Sequence, residues 1–146
     1  MFKYRLINKP KGLKLKKEIL ELIFESVSLN ISKIQNWTLN IVFVSDTEIK
    51  ELNKNYRNKN EVTDVLSFHY FEDFSQLKQR EIAWEIILSQ NKIISQSKEF
   101  WLTQEQETYK LIIHSILHIL GFDHESDKDY IKMSKEEKKI LKLLSI

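Results

Sequence analysis

The chain has 146 residues, of which 42% are apolar and 30% charged, and its net charge is +2. That length fits one domain with its own core, and that balance excludes a disordered or fibrous chain. There is no cysteine, which excludes a disulfide framework and leaves His, Asp and Glu as the residues that could hold a metal.

Phe2 to Ile7 reads as a short strand, and Pro10 and Gly12 punctuate a turn. Leu13 to Val27 carries Leu13, Leu20, Ile23, Phe24 and Val27 at helical spacing. WTLNIVFV, residues 37 to 44, alternates Trp37, Leu39, Ile41 and Phe43 against Thr38, Asn40, Val42 and Val44. Its second face turns apolar at the end, which predicts a central strand. Ser45 and Glu48 have the spacing of a capping box and open a helix with Ile49, Leu52 and Tyr56 along its apolar stripe. DVLSF, 64 to 68, is rich in strand formers, and FEDFSQLKQRE, 71 to 81, is a polar excursion that reads as a loop. IAWEIILS, 82 to 89, is another strand, and 90 to 100 reads as a helix. Thr103 and Gln106 open a longer helix that Gly121 closes after Leu120. Ser126 and Asp129 cap a last helix running to about Leu144. The expectation is an α+β fold, one domain over residues 1–146, with a mixed sheet of about four strands, helices packed against it and a metal site at a helix end.

No apolar run approaches the roughly 20 residues that span a bilayer. The opening MFKYRLINKPKGLKLKK has charges but no apolar core or small-residue cleavage site, so no secretion signal or membrane attachment is expected, and a cytoplasmic, reducing location is. The charge is locally uneven. Lys9, Lys11, Lys14, Lys16 and Lys17 crowd near the start, Lys54, Arg57 and Lys59 form a middle group, and Glu136 and Glu137 dilute the lysines of the last helix.

Three of the four histidines fall in HSILHILGFDH, residues 114 to 124. His114 and His118 are one turn apart on one helix face, since four residues advance about 400°. Helices offer two imidazoles to one metal with this spacing. Gly121 can end the helix in the left-handed conformation and bring His124 back towards the first two. Three imidazoles leave part of a zinc ion's coordination open, which suits catalysis better than a closed structural site. The spacing matches metzincin proteases, but their general base is a Glu directly after the first His, and here Ser115 stands there. Met133 reads as core, not as a metzincin Met-turn.

The same eleven residues resemble the H-G-x-L-H-L-x-G-Y-D-H signature of the YbeY endoribonuclease family. LNKNYRNKNEVTDVLSF, residues 52 to 68, resembles that family's L-N-x-x-Y-R-x-K-x-x-x-T-D-V-L-S-F segment. The resemblance runs from about residue 45 to 141 and continues through Met133, Glu137, Ile140 and Leu141; the first 35 residues add little. It implies an α+β, single-strand-specific, metal-dependent endoribonuclease. The family acts in maturation of the 3′ end of small-subunit ribosomal RNA and in ribosome quality control. His114, His118 and His124 match its zinc ligands, one ion per chain, although imidazole also suits Ni, Co, Fe or Cu. Arg57 matches an arginine that faces the RNA phosphate. The implied partners are single-stranded RNA, small-subunit ribosomal RNA and ribosomal particles.

Departures from the pattern are Ser115 for Gly, Phe122 for Tyr, His69 for Pro, and Ala83-Trp84-Glu85-Ile86 where Gly-Asp-Ile is usual. The last brings a local turn and the role of a carboxylate into question. Read from the residues alone, Arg57 suits a helix-capping surface residue better than a catalytic one, and the resemblance reverses that order. Asp123 suits either a turn or support for a metal ligand, Asp64 suits loop fixation through bonds to backbone, and His69 suits an exposed strand end. Two other functions compete with the nuclease: a non-catalytic zinc-containing ribosome-assembly factor, and a metzincin-like metalloprotease.

Overall fold

The computed structural model describes residues 3–28, 38–69, 82–119 and 127–143. The elements run β1 (Lys3–Ile7), α1 (Lys17–Ser28), β2 (Thr38–Val44), α2 (Asp46–Arg57), β3 (Val65–His69), β4 (Ile82–Ser89), α3 (Gln90–Glu99), α4 (Gln104–Ile119) and α5 (Asp127–Leu143). The strands form one sheet in the order β1-β2-β4-β3. β1, β2 and β4 run parallel and β3 antiparallel to β4, so the sheet is mixed and the fold α+β, as expected.

The alternation along the strands sorts side chains onto two faces. Leu39, Ile41 and Phe43 of β2 join Trp84, Ile86 and Leu88 of β4 in the main core. That core is completed by Leu20 and Ile23 of α1, Ile93 of α3, Ile112, Ile113, Ile116 and Leu117 of α4, and Met133 and Ile140 of α5. On the other face Val44, Leu66 and Ile87 pack with Ile49 of α2 in a smaller cluster. β2 is buried on both faces, as its central place requires. Met133 is core, as the sequence predicts.

The capping boxes form as read. Ser45 Oγ accepts from the Glu48 amide while the Glu48 side chain returns to the Ser45 backbone. Gln106 N donates to Thr103 Oγ1 and Thr103 N to Gln106 Oε1, each at 3.0 Å. Two other expectations are corrected. The first helix begins at Lys17, not Leu13. The amide of Lys14 donates to the Glu105 carboxylate and that of Lys16 to the Tyr109 hydroxyl, so the stretch before Lys17 is tied to α4. Tyr56, placed on the apolar stripe of α2, is 68% exposed, and Asn53 is buried instead. The strand expected over 82 to 89 forms with those bounds, and Ala83 to Ile86 all lie within it, where the register shifts between Thr38 and Leu39 and passes over Ala83. The polar excursion from 71 to 81, the end of α4 at Leu120 and Gly121, and the Ser126 cap lie outside the described residues.

α3 ends in a Schellman motif. Leu102 N donates to Ser97 O at 2.8 Å and Trp101 N to Lys98 O at 3.4 Å. Glycine usually holds the left-handed position, but here Trp101 does, at φ 60° and 94% exposed. The strain is uncompensated by burial. Trp101→Gly is therefore expected to stabilise the protein by about 0.5–1 kcal/mol, the left-handed penalty less the extra chain entropy of glycine. A urea midpoint that falls in this variant would contradict that account. Among the described residues no helix is long and apolar enough to cross a membrane.

Candidate functional site

Residues of the first sequence block and, from the second, His114, Ser115 and His118 line one cleft. It has a volume of about 640 Å³ and runs along β3, the edge strand of the sheet, from the end of α2 to the last turns of α4.

The first wall is built by LNKNYRNKNEVTDVLSF. α2 stops at Asn58, which takes the left-handed conformation at φ 56° and donates its amide to Lys54 O. Asn58, not Arg57, is thus the cap of α2. Arg57 instead lines the cleft, exposed. Buried Asn53 donates through Nδ2 to Glu61 O at 3.0 Å and ties the following loop back onto α2. Asp64 fastens the loop's far end. Its carbonyl accepts from Ser89 N, and its carboxylate accepts from Gln96 Nε2 at 3.1 Å and Thr63 Oγ1 at 3.4 Å. The duty expected of Asp64 is structural, and so it is, but its carboxylate works through side chains rather than backbone. Asp64 also adds its charge to the surroundings of buried Glu107, whose carboxyl desolvation pushes up, against the pull of Lys110.

The cleft is also lined by α4. His114 and His118 project from it one turn apart, half-buried, with their Nε2 atoms 3.1 Å apart and ring planes at 81°. Glu137 of α5 contacts His114 Nδ1. A carboxylate there accepts the Nδ1 proton, which orients the ring with Nε2 facing His118; it is the Nε2 lone pair of a neutral imidazole with this tautomer that could bind a metal. The donor set fits a metal on this observation: two nitrogens bound to one zinc at about 2.0–2.1 Å stand about 3.3 Å apart, close to the spacing found. A carboxylate behind the first ligand is the usual outer support of a histidine metal site. Among the described residues no group of three or more His, Asp or Glu gathers around a common point. His124 and Asp123 lie outside them, with Phe122. His69 ends β3, but its side chain is likewise outside the described set.

Ser115 adjoins the imidazole pair and lines the cleft, fully buried, with no hydrogen-bond partner for its hydroxyl among the described residues. Thr63 and Ser67 add two further hydroxyls to the cleft lining. The sequence brought together His114, His118 and Arg57, and the structure places all three on this cleft. It missed Glu137 as the partner of His114. The 23-residue separation carries no periodic signal, and only the docking of α5 on α4 brings the two together.

Fold and site together define an α+β protein with an imidazole pair at a helix end and a cationic rim, facing one cleft. The family model described as Endoribonuclease YbeY matches residues 5–145, so the match also takes in most of the first 35 residues. Endoribonuclease YbeY of Thermodesulfovibrio yellowstonii is 40% identical over 86% of this chain and 81% of its own length. Endoribonuclease YbeY of Aquifex aeolicus is 38% identical over 97% of this chain and 87% of its own. A protein from Thermotoga maritima, solved in solution, superposes with a TM-score of 0.61 at 30% identity, covering 99% of this chain and 92% of that one. The chain belongs to the YbeY endoribonuclease family.

Proposed function

We propose that this chain is a metal-dependent endoribonuclease that cuts single-stranded RNA, acting on the 3′ end of small-subunit ribosomal RNA and in ribosome quality control in the cytoplasm. The observation that carries the reading is the convergence of His114 and His118 Nε2, backed by Glu137, on the cleft that Arg57 also lines. His114, His118 and His124 would hold one zinc ion. Bound there, zinc supplies Lewis-acid polarisation of a phosphoryl group and a lower pKa for water.

The chain's own residues do the rest. Glu137 holds the His114 ring in one tautomer and orientation. Arg57 presents a planar fork of N–H donors that matches two phosphate oxygens and offsets negative charge as it builds during cleavage. Asn53 and Asp64 fasten the loop that follows Arg57 from either end. The position where a metzincin carries its glutamate is the buried Ser115, which is not a base at neutral pH, so the protease reading lacks its proton acceptor.

The purified chain is expected to cut single-stranded RNA, to stop when a chelator is added, and to resume with zinc. RNA binding without cutting of any RNA, ribosomal precursors in assembled particles included, would overturn the nuclease in favour of an assembly factor. The products distinguish the route: a 2′,3′-cyclic phosphate end means attack by the RNA's own 2′-hydroxyl, and its absence means attack by water. Glu137→Ala is expected to weaken zinc binding about 10–100-fold, read by competition with a chromophoric chelator. Unchanged affinity would remove Glu137 from the site.

A further inference from the structure

Tyr56 is a large aromatic ring left 68% exposed at the end of α2. It is not loose. Its ring meets Phe68 of β3 edge-to-face, with centroids 5.1 Å apart and planes at 69°. Phe68 in turn packs against the cluster of Val44, Ile49, Leu66 and Ile87 between α2 and the sheet. An anchored ring therefore props an exposed one. Both line the cleft that holds Arg57, His114 and His118.

The surroundings choose the occupant. Lys54 and Arg57 stand in the last turn of α2 beside Tyr56, and Lys59 follows two residues after Arg57; all three are exposed. Cations that follow a phosphate chain, interleaved with an open aromatic face, are the pattern that binds single-stranded nucleic acid, the phosphates meeting charge and the bases meeting rings. We propose that Tyr56, propped by Phe68, is a stacking platform for one unpaired nucleobase flanking the phosphate that Arg57 contacts. The inference rests on the nuclease reading and gives it a physical basis for strand selectivity. In a duplex each base is already stacked on both sides and its face is closed to Tyr56, whereas an unpaired base can be splayed onto the ring. Every base has a π-face, so this platform selects for single strands without selecting sequence.

The test uses the full chain and a labelled, single-stranded 2′-O-methyl oligonucleotide, chosen to slow cutting during an anisotropy titration. Tyr56→Ala is expected to bind about 10-fold more weakly, and Tyr56→Trp at least as tightly as wild type. One abasic nucleotide, moved stepwise along the strand, should at one position cost the wild type a similar factor and cost Tyr56→Ala nothing more. Circular dichroism checks that both variants fold. Wild-type affinity in Tyr56→Ala, or a loss that no abasic position reproduces, overturns the platform while leaving the nuclease intact. A wild-type chain that neither binds nor cuts single-stranded RNA overturns the nuclease reading and the platform with it.

Discussion

His118→Ala is expected to give a folded protein that holds no stoichiometric zinc and cuts single-stranded RNA more than about 100-fold more slowly, since loss of a mere outer-shell support already costs about 10–100-fold. The folded state should survive. His118 is half-buried at the end of α4, outside the main core that Ile112, Ile113, Ile116 and Leu117 enter from the same helix. Alanine is the best helix former and leaves the backbone bonds intact. What disappears is one of two nitrogens standing 3.1 Å apart. Metal content, circular dichroism and cleavage on one preparation check the three parts together. Normal zinc content with normal cutting would remove the site hypothesis, whereas an unfolded variant would show that the imidazole serves the fold.

Trp84→Ala is expected to cost about 3–5 kcal/mol. Trp84 is 1% exposed in β4 and stands opposite Leu39 of the central strand, next to the register shift. Both neighbouring strands are fixed by their ladders, so the space left by the indole cannot collapse easily. A typical domain has about 5–15 kcal/mol of stability in total, so the variant should unfold at much lower urea and at a visibly lower temperature. A loss below about 1 kcal/mol would mean that the cavity refills. The position also answers the departure from the family pattern at Ala83 to Ile86: the tryptophan is core, and the strand continues through it.

Much of the fold was legible because local chemistry and tertiary contacts agree there. The two capping boxes, the alternation of β2 and the bounds of β4 need only neighbours a few residues away. Leu13 to Lys16 misled because Leu13 continues the helical spacing, whereas the structure ties this stretch to the Glu105 and Tyr109 side chains of a distant helix and starts α1 at Lys17. Tyr56 misled because periodicity cannot tell an apolar stripe that meets the core from one that runs past it into a cleft. At the site, His114 and His118 were legible from spacing on a single helix. Glu137 was not, because its role depends on how α5 docks on α4.

α4 has two duties at once: it carries the imidazole pair, and it supplies buried side chains to the middle of the main core. The pair is therefore mounted on a helix whose middle turns are buried in that core, and the amides of those turns should exchange with deuterium only through global unfolding. Any ligand that binds this pair and not the unfolded chain must then raise the melting temperature of the whole molecule, by about 2.7 kcal/mol of added stability at 100 times its dissociation constant. Occupancy of the site and survival of the fold become one equilibrium.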